Sequence, residues 1–199
     1  MFNGIIKNTG KINKIFSNGA NFFMIVNSKM KCTKSEIGSS ISCSGVCLTL
    51  DNYKDKKMHF YLSKETINRT SFKKAKKNQL INLEKSLKYG DRISGHFVQG
   101  HVDTTAVIKK IEFFGRSWCI TFSLSKKYMK HIIPKGSISI NGVSLTISKI
   151  SNYNFQIVII PKTLKLTNLI HLRKNDLVNI EFDVLGKYAR NFLKWNFQR

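Results

Sequence analysis

Short runs of alternating hydrophobic and polar residues recur along the chain, separated by Gly, Asn, Asp and Ser. Asn21–Val26 is rich in aromatic and branched residues, and Met58–Leu62 alternates strictly, so both runs predict strands. Lys64–Thr70 predicts a short helix, with Ser63 as its N-cap. The same patterns predict strands at 80–83, 102–111, 118–124, 155–160 and 178–182, and a short helix at 126–131. Each half of the chain is therefore predicted to contain about six short strands, which is typical of a small closed antiparallel barrel.

One eleven-residue stretch, Ser40–Leu50, occurs a second time as Ser137–Ile147. Seven of the eleven positions are identical, and one of the four that differ sets Cys47 against Ser144. At the same offset of 97 residues, Leu80–Glu84 matches Leu177–Glu181, and with a shift of one residue Phe2–Ile6 matches Val98–Val102. Self-similarity at a fixed period indicates a structural repeat. The chain is thus two homologous halves followed by a tail without a counterpart.

The tail predicts a helix with one hydrophobic stripe, formed by Leu185, Tyr188, Ala189, Phe192 and Trp195. This stripe can pack either against the barrels of its own chain or against copies of itself in an oligomer. The predicted fold is mainly β: two homologous six-stranded antiparallel Greek-key β-barrels in tandem, followed by a C-terminal α-helix. The predicted domains are 1–96, 97–186 and an oligomerisation helix at 187–199.

Composition excludes several classes of protein. No apolar run approaches the roughly 20 residues that span a bilayer, and the first residues lack the pattern of a secretion signal, so no membrane association and a cytoplasmic location are expected. Four cysteines in 199 residues do not make a disulfide scaffold. Cys43 and Cys47 lie roughly 13 Å apart on an extended strand, too far to share a metal ion without a turn.

The net charge of +23 raises the possibility of a nucleic-acid partner. However, only six of the 34 basic residues are arginines, and the lysines are scattered over both halves rather than concentrated in one arm. The lysine excess accompanies an excess of Asn, Ile and Phe, all encoded by codons rich in A and T. A biased genome explains this composition, and we predict no nucleic-acid partner.

Five groups of motifs, in order, resemble those of riboflavin synthase of the alpha-chain type. They are MFNGII at Met1–Ile6, the pair GVCLTL and GVSLTI beginning at Gly45 and Gly142, GHFVQGHVD at Gly95–Asp103, IPKT at Ile160–Thr163, and VNIEFDVLGKYA at Val178–Ala189. The resemblance covers essentially the whole chain. It implies two similar six-stranded barrels and a homotrimer assembled through the C-terminal helices, with no cofactor and no metal.

The resemblance also implies a reaction, in which two molecules of 6,7-dimethyl-8-ribityllumazine give riboflavin and 5-amino-6-(ribitylamino)uracil by transfer of a four-carbon unit. Donor and acceptor are the same compound, so the reaction needs two similar pockets, and a duplicated barrel encodes two. The working site would pair the first barrel of one subunit with the second barrel of its neighbour. The alternative is a non-catalytic lumazine- or flavin-binding protein of the same fold.

Catalytic roles implied by the resemblance fall on Cys47, Ser144, His101 and Asp183. The implied substrate-binding residues are Phe2, Gly4, Ile5, Ile6, Cys47, Leu48, Thr49, Tyr61, Leu62, Ser63, Lys64, Glu65, Thr66, Gly100, His101, Val102, Lys135, Ser144, Leu145, Thr146, Ile159, Ile160, Pro161, Lys162, Thr163 and Leu164, with Phe2 at the pocket mouth.

Several of these residues also have an ordinary structural explanation. Cys47 can be a small buried hydrophobic residue, and Asp183 can cap the tail helix. His96 and His101 lie in a Gly-rich turn, where an imidazole often only bonds the backbone. Asn141 departs from the family pattern, because many members carry an acidic residue there, and this removes a possible charge beside Ser144.

Overall fold

The computed structural model describes residues 1–19 and 21–196, with side chains as far as residue 193. The first barrel contains β1 (Asn8–Asn18), β2 (Asn21–Ser28), β3 (Ser40–Cys43), β4 (Val46–Lys54), β5 (Lys57–Leu62), helix α1 (Lys64–Arg69) and β6 (Leu80–Lys85). The second contains β7 (Thr104–Phe114), β8 (Ser117–Ser123), β9 (Ser137–Ile140), β10 (Val143–Ser151), β11 (Asn154–Ile159), helix α2 (Pro161–Leu166) and β12 (Leu177–Phe182). Helix α3 (Val184–Asn196) follows, and the segment predicted as a short helix at 126–131 is a 3-10 helix.

Both sets of six strands close into antiparallel barrels with the same topology. The strand order is β1-β2-β5-β4-β3-β6 in the first barrel and β7-β8-β11-β10-β9-β12 in the second. In each barrel the three hairpin-connected strands β3, β4, β5 (or β9, β10, β11) are followed by a strand that returns beside the first of them, which is a Greek key. The predicted fold class is confirmed.

Alternation of side chains explains why each barrel has its own hydrophobic core. In β5, Met58, Phe60 and Leu62 point inward and are at most 1% exposed, while the intervening residues face outward. The equivalent strand of the second barrel buries Phe155, whose ring stacks on that of Phe122 at a centroid distance of 5.2 Å. The two cores contain separate sets of buried residues.

The last strand of each barrel is buried on both faces, and this joins the barrels. Asn82 in β6 is fully buried, and its amide donates to the Asn141 carbonyl and to the Asn168 side chain, both at 2.9 Å. Asn179 in β12 makes the equivalent contact in the opposite direction, because its amide donates to the Ser44 carbonyl at 2.8 Å. Asn141 itself accepts the Asn179 N–H through its side chain. Asn141 is therefore part of the joint between the barrels.

Two crossing segments, residues 2–6 and 98–102, precede β1 and β7. Phe2 and Val98 pair with each other through two backbone hydrogen bonds of 2.7 and 3.0 Å, and both are fully buried. From this bridge each segment reaches the opposite barrel: Ile6 packs in the core of the second barrel and Val102 in the core of the first. This exchange explains why β7 begins at Thr104, two residues later than predicted.

Helix α3 begins at Val184, so the predicted boundary at residue 187 falls inside it. Asp183 caps it, accepting the Leu185 N–H at 2.9 Å, as the structural alternative predicted. Leu185, Tyr188 and Phe192 of the predicted stripe are exposed by 61–71%, and the side chain of Trp195 lies outside the described residues. Among the helices described, none is long and apolar enough to cross a lipid bilayer.

Candidate active site

The first candidate pocket surrounds Cys47, at the start of β4. It is a cleft of 360 Å³ between α1 and the second crossing segment. The Cys47 N–H donates to the Gly100 carbonyl at 2.8 Å, so this segment lies directly on the cysteine. The cleft is lined by Val46, Cys47, Ser63, Glu65, Thr66, Arg69, Thr70, Gly100, His101, Val102 and Asp103. Thiol, hydroxyl, carboxyl and imidazole groups thus converge on one small space.

The second candidate site is centred on Ser144, the residue equivalent to Cys47 at the start of β10. The Ser144 N–H donates to the Gly4 carbonyl at 2.9 Å, which repeats the contact between Cys47 and Gly100. In addition, His96 Nδ1 lies 2.7 Å from Ser144 Oγ. Ser144 is half-buried and His96 is buried. A hydroxyl bonded to an imidazole is the arrangement that activates a nucleophile or accepts a proton.

The environment of His96 favours its neutral form. Burial lowers the pKa of His96, and the negative charge of Asp183 opposes this shift without reversing it. A neutral imidazole whose Nδ1 accepts from Ser144 carries its proton on Nε2. That atom is buried, and it has no hydrogen-bond partner among the residues that the structure describes. From the sequence alone, His96 is explained as a residue whose imidazole bonds only the backbone. The geometry makes it a stronger candidate base than the exposed His101.

Glycine is required where the crossing segments meet Cys47 and Ser144. At Gly100, which has φ of +79°, a Cβ would lie 2.7 Å from the Cβ of Cys47. At Gly4, with φ of +73°, it would lie equally close to the Cβ of Ser144. Only glycine combines this left-handed backbone with so close an approach at low cost. The repeated glycine therefore follows from the repeated pocket.

Buried glutamates bind the backbone of both crossing segments. Glu181 in β12 accepts the N–H groups of Gln99, Gly100 and His101 at 2.7–3.1 Å. Glu84 in β6 accepts those of Asn3 and Gly4 at 2.9 and 3.1 Å. Burial raises the pKa of Glu181 to about 7 and that of Glu84 in the same direction, against the lowering effect of the N–H donors. The repeated Leu-x-Asn-x-Glu pattern was the sequence signal for these residues, although its role was not predicted.

The structure brings some of the predicted site residues together and places others in the cores. Seven line the Cys47 cleft: Cys47, Ser63, Glu65, Thr66, Gly100, His101 and Val102. Around Ser144 it gathers Gly4, together with His96, which was not among the predicted site residues. Core positions are occupied by the side chains of Ile6, Leu48, Leu62, Ile159 and Leu164, so these residues offer mainly backbone groups to a ligand.

Three predicted residues, Phe2, Lys135 and Asp183, lie outside both the Cys47 cleft and the two cores. Phe2 is fully buried in the bridge to Val98, so it does not lie at a pocket mouth. Lys135 is exposed just before β9, where its N–H donates to the Ile147 carbonyl at 2.8 Å. Asp183 combines its capping role with a charge that acts on His96.

Comparisons with known proteins agree with this architecture. A family described as the lumazine binding domain matches residues 3–86 and 99–183, one match for each barrel. The riboflavin synthase of Actinobacillus pleuropneumoniae is 37% identical over 97% of this chain and 90% of its own length. That of Bacillus subtilis (strain 168) is 34% identical over the same shares. The chain belongs to the riboflavin synthase family of enzymes.

The fold is similar to that of LumP in solved structures. A LumP structure complexed with riboflavin has a TM-score of 0.80 and 26% identity, and the match covers 92% of this chain and 99% of that one. A LumP complex with 6,7-dimethyl-8-(1'-D-ribityl) lumazine has a TM-score of 0.79 at 24% identity. Membership in the riboflavin synthase family confirms the predicted resemblance, and the LumP likeness shows that the same fold exists in a lumazine-binding protein.

Proposed function

We propose that the protein is a riboflavin synthase, which converts two molecules of 6,7-dimethyl-8-ribityllumazine into riboflavin and 5-amino-6-(ribitylamino)uracil. A four-carbon unit leaves one molecule and joins the other. The two products together contain the atoms of the two substrates, so neither oxidant nor cofactor is consumed. The observation that carries this proposal is the pair of equivalent sites, in which Cys47 and Ser144 occupy the same position of two equivalent barrels.

The Ser144 site supplies the groups for the proton transfers. The chemistry begins with removal of a proton from the activated 7-methyl group of one lumazine and addition of a nucleophile to the ring of the other. A neutral His96 bonded to Ser144 Oγ at 2.7 Å can accept a proton through that hydroxyl. In the other pocket Cys47 provides the thiol and the exposed His101 lies beside it.

Orientation of the two substrates supplies a large share of the rate in this proposal. Fixing two reactants in a productive geometry gives effective molarities on the order of 10⁵ M or more. Equivalent pockets achieve this when the first barrel of one subunit faces the second barrel of its neighbour. Leu185, Tyr188, Phe192 and Leu193 leave an exposed apolar face on α3, and we propose that this face joins three subunits. The four unpaired cysteines suit a reducing cytoplasm, which we propose as its location.

The experiment mixes the purified protein with 6,7-dimethyl-8-ribityllumazine and follows riboflavin absorbance and the release of the pyrimidine product. Ser144→Ala and Cys47→Ser should each lower kcat more than they weaken binding of the lumazine. Ser151→Ala is the matched control, because Ser151 also lies on β10 but is exposed at its far end. It should leave both parameters unchanged.

The competing function is a lumazine- or flavin-binding protein without catalysis. The likeness to LumP favours this possibility at the level of fold. The same experiment separates the two functions, because stable binding of the lumazine without formation of riboflavin would support the binding protein. Equal losses of binding and turnover in both variants would mean that Cys47 and Ser144 only position the substrate.

A further inference from the structure

The connection between each buried glutamate and its pocket runs across the barrels. Glu181 belongs to β12 of the second barrel, yet the segment it binds covers Cys47 of the first. Glu84 belongs to β6 of the first barrel, yet the segment it binds covers Ser144 of the second. Each glutamate is therefore connected to Cys47 or Ser144 of the opposite barrel through one glycine. The glutamate accepts the N–H of that glycine, and the carbonyl of the glycine accepts the N–H of Cys47 or Ser144.

We propose that Glu84 and Glu181 are positioning residues, each of which fixes the pocket of the opposite barrel by binding a crossing segment. Both carboxylates are at most 9% exposed, and their hydrogen-bond partners are backbone N–H groups of residues 3–4 and 99–101. The proposal deepens the proposed function, since it explains how two equivalent ligand sites are held in shape. It applies to the pockets whether or not they turn the lumazine over.

The two glutamates differ in the number of hydrogen bonds that they accept. Glu181 accepts three N–H groups, with Oε1 bonded to Gln99 and Oε2 shared between Gly100 and His101. Glu84 accepts two, one on each oxygen. In a glutamine variant the amide NH₂ must face at least one of these donors, because an amide has only one acceptor oxygen. Each variant thus loses a hydrogen bond and gains a repulsive contact between two donors.

The effect of Glu181 is the easier one to measure, because the segment that it binds covers the thiol of Cys47. Gly100 lies against Cys47, so a crossing segment that is released more often exposes the thiol more often. At pH 8 Glu181 is mainly ionised, and Glu181→Gln should raise the rate of Cys47 alkylation by iodoacetamide about tenfold. Peptide mass spectrometry distinguishes Cys47 from the three buried cysteines.

The matching readout for Glu84 is the side-chain NMR signal of His96, which reports the bond to Ser144. Glu84→Gln should shift this signal and leave the rate of Cys47 alkylation within about twofold. Glu181→Gln should raise that rate, and it should also shift the His96 signal, because His96 lies three residues before Gln99, whose N–H Glu181 accepts. Glu112→Gln is the matched control for charge, because Glu112 lies on β7 in a surface ion pair with Lys110. It should change neither readout.

The selective effect of Glu84→Gln is what identifies positioning as opposed to general loss of stability. A destabilised fold would raise the rate of Cys47 alkylation in both variants, and that outcome, or no change in either readout, would overturn the proposal. If Glu181→Gln does not fold, Glu181→Asp keeps the charge and shortens the reach, and the same faster alkylation is expected. Neither readout requires turnover, so absence of riboflavin formation would contradict the proposed function and leave this test unaffected.

Discussion

The amide of Asn82 forms a buried contact between the two barrels, and replacing it with alanine tests how they are joined. The side chain is fully buried and makes three hydrogen bonds. Two are donated, to the Asn141 carbonyl and to Asn168 Oδ1, both at 2.9 Å. The third is accepted from the Asn168 N–H at 2.7 Å. Asn82→Ala therefore leaves two acceptors and one donor without their partner.

The expected loss follows from these contacts. A buried hydrogen bond contributes about 1 kcal/mol net, and a group left without a partner costs about 1–3 kcal/mol. Asn168 Nδ2 keeps its own bond to the Leu80 carbonyl, so part of the network survives. We expect Asn82→Ala to lower the free energy of unfolding by about 3 kcal/mol, within a range of about 2–5 kcal/mol. For a domain whose total is about 5–15 kcal/mol, this is a large fraction.

Urea unfolding followed by circular dichroism, at one protein concentration, measures this change. The control is Asn52→Ala, because Asn52 is an exposed strand residue on β4, and it should cost less than about 0.5 kcal/mol. A double-mutant cycle with Asn168→Ala should give a coupling above about 1 kcal/mol. If Asn82→Ala lowers the free energy of unfolding by less than about 1 kcal/mol, or if the effects of Asn82→Ala and Asn168→Ala are additive, the hydrogen bonds of Asn82 do not join the barrels as proposed.

Three further predictions concern the pockets and the tail. Gly100→Ala places a Cβ 2.7 Å from that of Cys47 and should weaken lumazine binding about tenfold by fluorescence titration, whereas Gly115→Ala has a similar positive φ but open space and should keep it. Burial raises the pKa of Glu181 from its ordinary value of 4.5, which the unfolded chain keeps, to about 7 in the folded protein. The free energy of unfolding should therefore fall by about 1–3 kcal/mol as the pH rises between these two values, and Glu181→Gln should reduce this slope. Removing residues 187–199 should give monomers of low activity in sedimentation velocity, and an active monomer would contradict the cross-subunit site.

The barrels could be predicted from the sequence because their determinants are local or repeated. Period-2 runs such as Met58–Leu62 fix which face of a strand is buried, and the recurrence of Ser40–Leu50 shows that both halves fold alike. The capping of α1 by Ser63 was also predictable, because the cap and the Thr66 N–H it accepts are three residues apart.

The exchange of segments between the barrels could not be predicted in this way. Whether residues 98–102 lie on the first or the second barrel depends on hydrogen bonds to Glu181, some 80 positions away, and on the fit of Val102 into the core of the first barrel. No periodicity within the segment carries that information. The pairing of His96 with Ser144, 48 positions apart, escaped prediction for the same reason.

The two pockets share a framework but differ in their reactive groups, and this difference suits a reaction between two identical molecules. In both, a buried glutamate, a left-handed glycine and a backbone bond to the second residue after the hairpin turn recur in equivalent places. The reactive groups do not recur: Cys47 with His101 nearby in one pocket, and Ser144 bonded to His96 in the other. In the proposed reaction, equal frameworks would bind the same compound in the same way, while unequal side chains would assign its two copies different chemical roles. The side chains that differ between the pockets, and not the shared framework, would then decide which lumazine gives up its four carbons.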